Sequence, residues 1–410
     1  QRIQETLFHE KETIIEYCLF GVDINPNSVK ICRLRLWIEL LKNAYYTPAS
    51  NYTELETLPN IDINIKCGNS LISRFALDTD IKRALRSSKW SIDSYKIAVQ
   101  TYRDAESKEQ KREMEALIDA IKKDFRSYIS PNDPKYKKLS KLRGELFNLS
   151  QTKELFDEGN KKNKDTKKKI EQLSNEITKL ETEIEKIKNN KIYENAFEWR
   201  FEFPEVLNED GDFIGFDVVI GNPPWGAEMK ENYLTHIKIT HQDIVVRMVD
   251  SFMFFIDLTL SLKSSKGIIC QIIPDVILYQ SDNLLLREKI FRDVQLSLAL
   301  NLGDRIFEDV ARPSCIILMT PEQNNKTFVG EYNIELKEIS NNLLTCLNTD
   351  FFLQIPNKVI STKNLKGYNL LKRLQGETLA SLIDEDGIQR GISPDLKEAF
   401  IVDADVVKTH

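Results

Sequence analysis

Apolar and polar positions follow three different rhythms along the chain. In residues 1–75 a helical stretch leads into Tyr17-Cys18-Leu19-Phe20-Gly21-Val22-Asp23, an apolar run that stops at a carboxylate and predicts a buried strand. Asn25-Pro26-Asn27 is a turn and helix-start signal, after which Val29, Cys32, Leu36 and Leu40 recur at helical spacing. A second short strand is predicted over Ile61–Lys66, ending at Cys67-Gly68-Asn69. Residues 76–195 change character. Ile170, Leu173, Ile177, Leu180, Ile184 and Ile187 repeat in a 3-4 heptad rhythm with Glu and Lys between them. Leu139, Leu142, Leu146 and Leu149 form a similar stripe, as do Met114, Leu117, Ile118, Ile121 and Phe125. Pro131-Asn132-Asp133-Pro134 separates two of these stripes, so the segment reads as an inserted, antiparallel helical coiled-coil arm.

From Phe197 the first rhythm returns. Phe216-Asp217-Val218-Val219-Ile220 is a buried-strand run ending at Gly221-Asn222-Pro223-Pro224-Trp225. Residues 248–262 predict an apolar helix, and Gly267–Ile273, Leu298–Leu302 and Ser314–Met319 predict strands. Strands alternating with helices imply an α/β fold with a mainly parallel, doubly wound sheet. Thr327–Ile339 alternates and looks antiparallel. The expected organisation is core at 1–75, helical insertion at 76–195, core again at 196–325, and at 326–410 the end of the core with the start of another domain.

Composition adjusts this picture in two places. The formal charge of −6 conceals a split, because residues 76–195 carry +6 and the remainder −12, so an acidic average does not exclude a nucleic-acid partner. The Lys-rich turn at Lys161, Lys162, Lys164 and Lys167–Lys169 reads either as a solvated tip or as a phosphate contact. The six Cys are scattered without a CxxC pair, and there are only four His, which argues against a metal site and fits a reducing cytoplasm. No apolar run approaches the ~20 residues of a membrane span.

Candidate chemistry gathers at the predicted strand ends, where ligands sit in doubly wound sheets. Asp23 reads two ways, as a carboxylate able to accept both hydroxyls of a ribose or as an N-cap for the next helix. Asn69 after Gly68 is equally a turn residue. Asn222-Pro223-Pro224-Trp225 is more specific. Two prolines remove two backbone donors and fix φ, leaving carbonyls that accept but join no ladder. An exocyclic amine needs acceptors alone, and the Asn222 side-chain oxygen with the Pro223 carbonyl supplies two. Trp225 offers a flat face to a heterocycle.

Val219-Ile220-Gly221-Asn222-Pro223-Pro224-Trp225 resembles the catalytic NPP(Y/F/W) motif of S-adenosylmethionine-dependent DNA N6-adenine methyltransferases. Phe20–Pro26 with the helix through Arg33-Leu34-Arg35-Leu36-Trp37 resembles the second cofactor motif of the Eco57I-like, type IIG restriction–modification branch. Asn64–Ile72 is similar to its third motif, and Trp199–Val206 to the lead-in to the catalytic strand. The resemblance covers roughly 11–75 and 197–320. It implies a class I methyltransferase, Rossmann-like fold acting on double-stranded DNA with a flipped adenine. Asp23 would hold the cofactor ribose, Ile24 would pack on its adenine, and Asn69 would lie near the adenine amine, where many relatives carry Asp. Asn222 and Pro223 would accept from the target amine and Trp225, following Pro224, would stack on the base. Arg305-Ile306-Phe307 resembles a later motif whose aromatic, here Phe307, packs on the opposite face; Phe307 is equally an ordinary core residue.

The departure is at the first cofactor motif, a Gly-rich turn, because the 22 residues before Asp23 contain no GxG. The resemblance therefore implies that this motif lies outside the sequence and that these residues alone bind S-adenosylmethionine weakly or not at all. Type IIG relatives also carry a nuclease in the same full-length chain. Pro321-Glu322 with Glu335-Leu336-Lys337 mimics a nuclease motif only loosely, and Gly387–Val402 looks like the start of a target recognition domain. Two other classes stay open: a protein-glutamine methyltransferase, whose amide nitrogen needs the same acceptors, and a non-catalytic coiled-coil interaction module.

Overall fold

A computed structural model of the chain describes residues 2–73, 77, 88–105, 107–129, 138–139, 141–146, 169–181, 193, 195–308, 312–322, 324–332 and 344–362. The Pro131–Pro134 break, Lys161–Lys168, Leu149, Ile184, Ile187, Glu335–Lys337 and Gly387–Val402 lie outside the described residues.

The first helix, α1 (Arg2–Tyr17), leads into β1 (Gly21–Asp23). Helix α2 (Pro26–Leu41) begins where the sequence signals it: the Asn25 side chain accepts from the Asn27 amide at 2.9 Å, and Pro26 takes the first helical position. Phe8 and Ile15 of α1 and Leu40 of α2 pack with Tyr45 and Ile61. Strand β2 (Ile65–Cys67) runs parallel to β1 with Asp23 opposite Cys67. It is shorter than the expected Ile61–Lys66, because Ile61–Ile63 forms a 3-10 turn. The Arg33 guanidinium ties this turn to the strand, donating to the Asp62 carbonyl at 2.9 Å and to the Ile65 carbonyl at 2.9 Å. Buried Asn64 donates to the carbonyls of Ile15 (3.2 Å), Glu16 (2.6 Å) and Leu19 (3.2 Å), closing the C-terminal end of α1.

A six-stranded sheet forms the rest of the core. Its strands are β3 (Phe216–Gly221), β4 (Lys263–Pro274), β5 (Gln295–Gly303), β6 (Ser314–Thr320), β7 (Lys326–Glu331) and β8 (Leu344–Asn348), in the order β3-β4-β6-β5-β7-β8. The expectation of a mainly parallel sheet is corrected here. The β3–β4 and β5–β7 pairs are parallel, but β4–β6, β5–β6 and β7–β8 are antiparallel, so the sheet is mixed. The reason is the β5–β6 connection, residues 304–313, which carries no helix among its described residues and returns the chain directly as an antiparallel neighbour. Of the Thr327–Ile339 stretch expected to be antiparallel, β7 is described; it pairs parallel with β5 and antiparallel with β8.

Strand β3 is an edge strand, paired among the described residues only with β4. Its Val218 and Ile220 side chains are 61% and 75% exposed. An aromatic cluster of Phe197, Phe203 and Val206, with Phe20, Val22, Trp199, Phe213 and Phe216 against it, fills the space between β1 and β3.

The first part of 76–195 packs on this core. Helices α3 (Ile92–Arg103) and α4 (Lys108–Ile129) bury Tyr95, Val99, Tyr102, Ile118 and Ile121 against Phe201 and Leu207. The fully buried Tyr95 donates its hydroxyl to the Phe201 carbonyl. Lys66 of β2 and Lys122 of α4 meet on the Glu202 carboxylate at 3.1 and 2.7 Å. Burial, then Lys122, brings the Lys66 amine down from 10.5 to about 8. Further on, Leu139 and Leu142 pack with Leu173, Ile177 and Leu180. The ion pairs Lys138–Glu176 and Arg143–Glu181 advance together along both segments, a register of segments running the same way rather than the antiparallel pair expected.

Among the described residues no helix is long and apolar enough to cross a membrane.

Candidate active site

The two short parallel strands deliver three of the expected residues to neighbouring ends. Asp23 is exposed at the C-terminal end of β1, where its Oδ1 accepts from the Asn25 amide at 2.7 Å. It therefore closes an Asx turn, while the N-cap of α2 is Asn25. Ile24, next to it, is 63% exposed, an apolar side chain presented outward from a strand end. The Asp23 carbonyl accepts from the Gly68 amide at 3.0 Å, so β2 leaves the sheet beside it. Gly68 is dictated by contact: a Cβ there would lie 2.8 Å from Cδ2 of Phe197.

Asn69 follows as a junction. Its amide donates to the Asn195 carbonyl at 2.7 Å, and its own carbonyl accepts from Phe197 at 3.2 Å. Its side-chain Nδ2 donates to the Tyr233 hydroxyl at 2.8 Å, and that hydroxyl faces its Oδ1 at 3.1 Å. Tyr233 lies on α5 (Glu231–Thr240), the helix that follows the Asn222–Trp225 turn. Burial raises the Tyr233 phenol, partly offset by the hydrogen bond to Asn69. One turn along α5, His236 meets Tyr193 edge-on at 5.5 Å.

The turn itself leaves β3 at Gly221. Asn222 and Pro224 are exposed, Pro223 is buried, and Trp225 is half-buried. Gly226 has φ of +64°, in the left-handed region that favours glycine. The turn is held from α6 (Ser251–Leu262). Asp250, just before it, accepts the Gly226 amide on Oδ1 at 2.8 Å. Ser251 donates its hydroxyl to the Pro224 carbonyl at 2.5 Å. The second Asp250 oxygen accepts from Arg312 Nη2 at 2.6 Å. Of the two proline carbonyls, that of Pro224 is thus occupied, and no hydrogen bond among the described residues involves Pro223 or the Asn222 side chain.

Phe307, from the β5–β6 connection, reaches Trp225: the ring centroids are 5.4 Å apart at 77°. The structure thus brings together Trp225 with Phe307, and Asp23 and Ile24 with the segment of Asn69. Tyr233 links Asn69 to the helix after the turn. No hydrogen bond or ring contact among the described residues joins Asp23 or Ile24 to Asn222–Trp225 directly.

Sequence reasoning missed Tyr233, Asp250, Ser251 and Arg312. It also missed a charged cluster on the elements after the turn, where buried His241 Nδ1 and Asp257 Oδ2 are 2.6 Å apart and Lys289 of α7 (Leu284–Asp293) pairs with half-exposed Asp243 at 2.5 Å and with Asp257. Burial works to raise the Asp257 carboxyl, but His241 and Lys289 outweigh it and hold it below the usual carboxylate range. The one available signal was an Asp-Ser pair opening an apolar helix.

The arrangement can be set beside known proteins. A protein of Methanocaldococcus jannaschii named as a type II restriction enzyme and methyltransferase is 26% identical over 371 residues, which are 83% of this chain and 29% of that one. The chain therefore spans less than a third of that relative's length. Among solved structures, the methyltransferase subunit of a type I restriction-modification system from Streptococcus thermophilus overlaps 36% of this chain and 37% of its own, at 12% identity and a TM-score of 0.29. The DrdV–DNA complex overlaps 33% and 17%, at 13% identity and a TM-score of 0.28. The Eco57I restriction-modification methylase family matches residues 17–307, from the approach to β1 through the proline turn to Phe307. With well over half its length matched, the chain belongs to the Eco57I restriction-modification methylase family.

Proposed function

We propose that the chain is the catalytic part of an S-adenosylmethionine-dependent DNA adenine-N6 methyltransferase in a restriction–modification protein. The observation that carries this reading is the Asn222–Trp225 turn at the end of β3, with Asn222 exposed, the Pro224 carbonyl tied to Ser251, and Trp225 meeting Phe307.

The residues at the β1 and β2 ends fit the cofactor. Asp23 keeps one carboxylate oxygen in its own turn and presents the group to solvent, as a ribose ligand requires. Ile24 presents exposed apolar surface on which an adenine ring can pack, and Asn69 has an amide at the adjacent strand end. When bound, the cofactor supplies a methyl group on a sulfonium.

The protein's part is positioning and electrostatics. An adenine within a duplex hides its N6 edge, so the base is extruded before reaction. Asn222 Oδ1 and the Pro223 carbonyl accept the two N6 hydrogens, which draws density onto nitrogen and aims its lone pair. The Asn222 amide oxygen and the Pro223 carbonyl orient the amine but are not bases, so nitrogen attacks through its lone pair, the sulfonium C–S bond breaks, and the extra N6 proton leaves to solvent after the methyl is transferred. Trp225 and Phe307 supply the stacking faces.

The test uses the full-length protein with radiolabelled cofactor on DNA and on protein substrates. Label on adenine N6, abolished by Asn222→Ala with DNA binding retained, is the expected result. Label on protein glutamine, on another base, or on neither substrate would overturn the reading.

A further inference from the structure

We propose that Asp250, Ser251 and Arg312 form a positioning clamp that aims Trp225 and sets its separation from the segment carrying Phe307. The inference rests on the reading of the turn as the target-base site, and it goes beyond it by assigning residues that touch neither base nor cofactor.

The clamp holds both peptides that flank Trp225. The carbonyl of the Pro224–Trp225 peptide accepts from Ser251 Oγ at 2.5 Å, and the N–H of the Trp225–Gly226 peptide donates to Asp250 Oδ1 at 2.8 Å. Rotation about φ or ψ of Trp225 breaks one of these bonds, so the direction of its side chain is set by the start of α6. The Ala227 amide adds a longer bond to Ser251 Oγ at 3.3 Å. On the other side, Pro224 has a fixed φ, which carries the constraint back toward Pro223 and Asn222.

Arg312 converts this local constraint into a link across the fold. It lies five residues beyond Phe307 in the β5–β6 connection, and its guanidinium donates to Asp250 Oδ2 at 2.6 Å. Its Nη1 lies 3.3 Å from where a Cβ on Gly226 would stand, so it also covers the left-handed residue of the turn. The pair is partly screened from water, with Asp250 17% and Arg312 37% exposed, and a charge-assisted bond in that setting outlasts an exposed ion pair. One carboxylate therefore holds the turn with one oxygen and, with the other, Arg312 of the same β5–β6 connection that carries Phe307.

The experiment uses the full-length protein labelled with 5-fluorotryptophan, the Trp225 signal being assigned by its loss in Trp225→Phe. Arg312→Ala is expected to shift or split that signal, to lower kcat for DNA about tenfold, the worth of a weakened base–aromatic stack, and to change the KM for S-adenosylmethionine less than twofold. Arg312→Lys is expected to recover only part of kcat, since one ammonium cannot both donate to Asp250 Oδ2 and cover Gly226, and Asp250→Asn, which keeps an acceptor for the Gly226 amide but loses the charge, to retain more kcat than Asp250→Ala. An unmoved Trp225 signal with unchanged kcat overturns the clamp. So does a loss of kcat that tracks a lowered melting temperature while the Trp225 signal stays in place. If the wild type methylates no DNA, the parent reading fails, and the Trp225 signal still decides the clamp.

Discussion

Trp225 and Phe307 stand edge to face, their ring centroids 5.4 Å apart and their planes at 77°. A base sandwiched between two rings needs parallel walls separated by about 7 Å, two layers of about 3.5 Å contact. The pair as it stands has no room for one, so under the proposed function a base enters only if at least one ring turns. Arg305, a non-glycine residue at φ of +61°, lies two residues before Phe307 and gives its segment backbone strain to release. Phe307→Ala is expected to lower kcat/KM for DNA about tenfold, as loss of one stacking face does, and Phe307→Tyr to preserve it. Equal kcat/KM in Phe307→Ala and wild type would remove Phe307 from the site.

Tyr233 holds the Asn69 amide in one orientation through its hydroxyl, at 2.8 and 3.1 Å. Tyr233→Phe removes both contacts and leaves the ring. The expected outcome is a rise of about fivefold in the KM for S-adenosylmethionine, the worth of roughly 1 kcal/mol of hydrogen bonding, with kcat nearly unchanged. A change in kcat alone would place Tyr233 with the target base instead.

Tyr95 of α3 is fully buried in the cluster that holds Phe201. If α3 and α4 are part of the core, Tyr95→Ala costs about 3–5 kcal/mol, in line with buried aromatic truncations. Denaturant unfolding measures it. A loss below about 1 kcal/mol, the level of a surface change, would show that this helix pair is dispensable to the core.

Glu16 supplies a pH test. Burial first, then Glu12, raises its carboxyl from 4.5 to about 7. The folded state then binds this proton more tightly than the unfolded one, so stability falls as pH rises through that window; the cost is absent below 4.5 and complete above about 7. Glu16→Gln is expected to raise the melting temperature near pH 8 and to leave it unchanged near pH 4. A gain of equal size at both pH values would assign the effect to packing rather than charge.

What could be read from the sequence was local. Asp23 and the turn from Asn222 to Trp225 announce themselves because a strand end, a helix start and two prolines are written into adjacent residues. Tyr233, Asp250 and Arg312 do not, because each acts on a partner far along the chain: Tyr233 on Asn69, Arg312 on Asp250, Asp250 on Gly226. The sheet's mixed direction was hidden for a related reason. Nothing in Ser314–Thr320 distinguishes a strand that returns by a loop from one that crosses over by a helix. The 3-10 turn at Ile61 was masked by its isoleucines, and Arg33, which bonds to it, sits in a helix about thirty residues away.

The outer edge of β3 has a consequence for anyone handling the protein. Val218 and Ile220 project into water beside a backbone row that pairs on one side only. A flat, apolar, unpaired strand is a template for aggregation, and two copies can zip together there as concentration rises. That edge gives these 410 residues a self-association surface that their net charge of −6 does not reveal. Val218→Lys, a gatekeeper on the exposed row, is expected to raise the concentration at which light scattering appears.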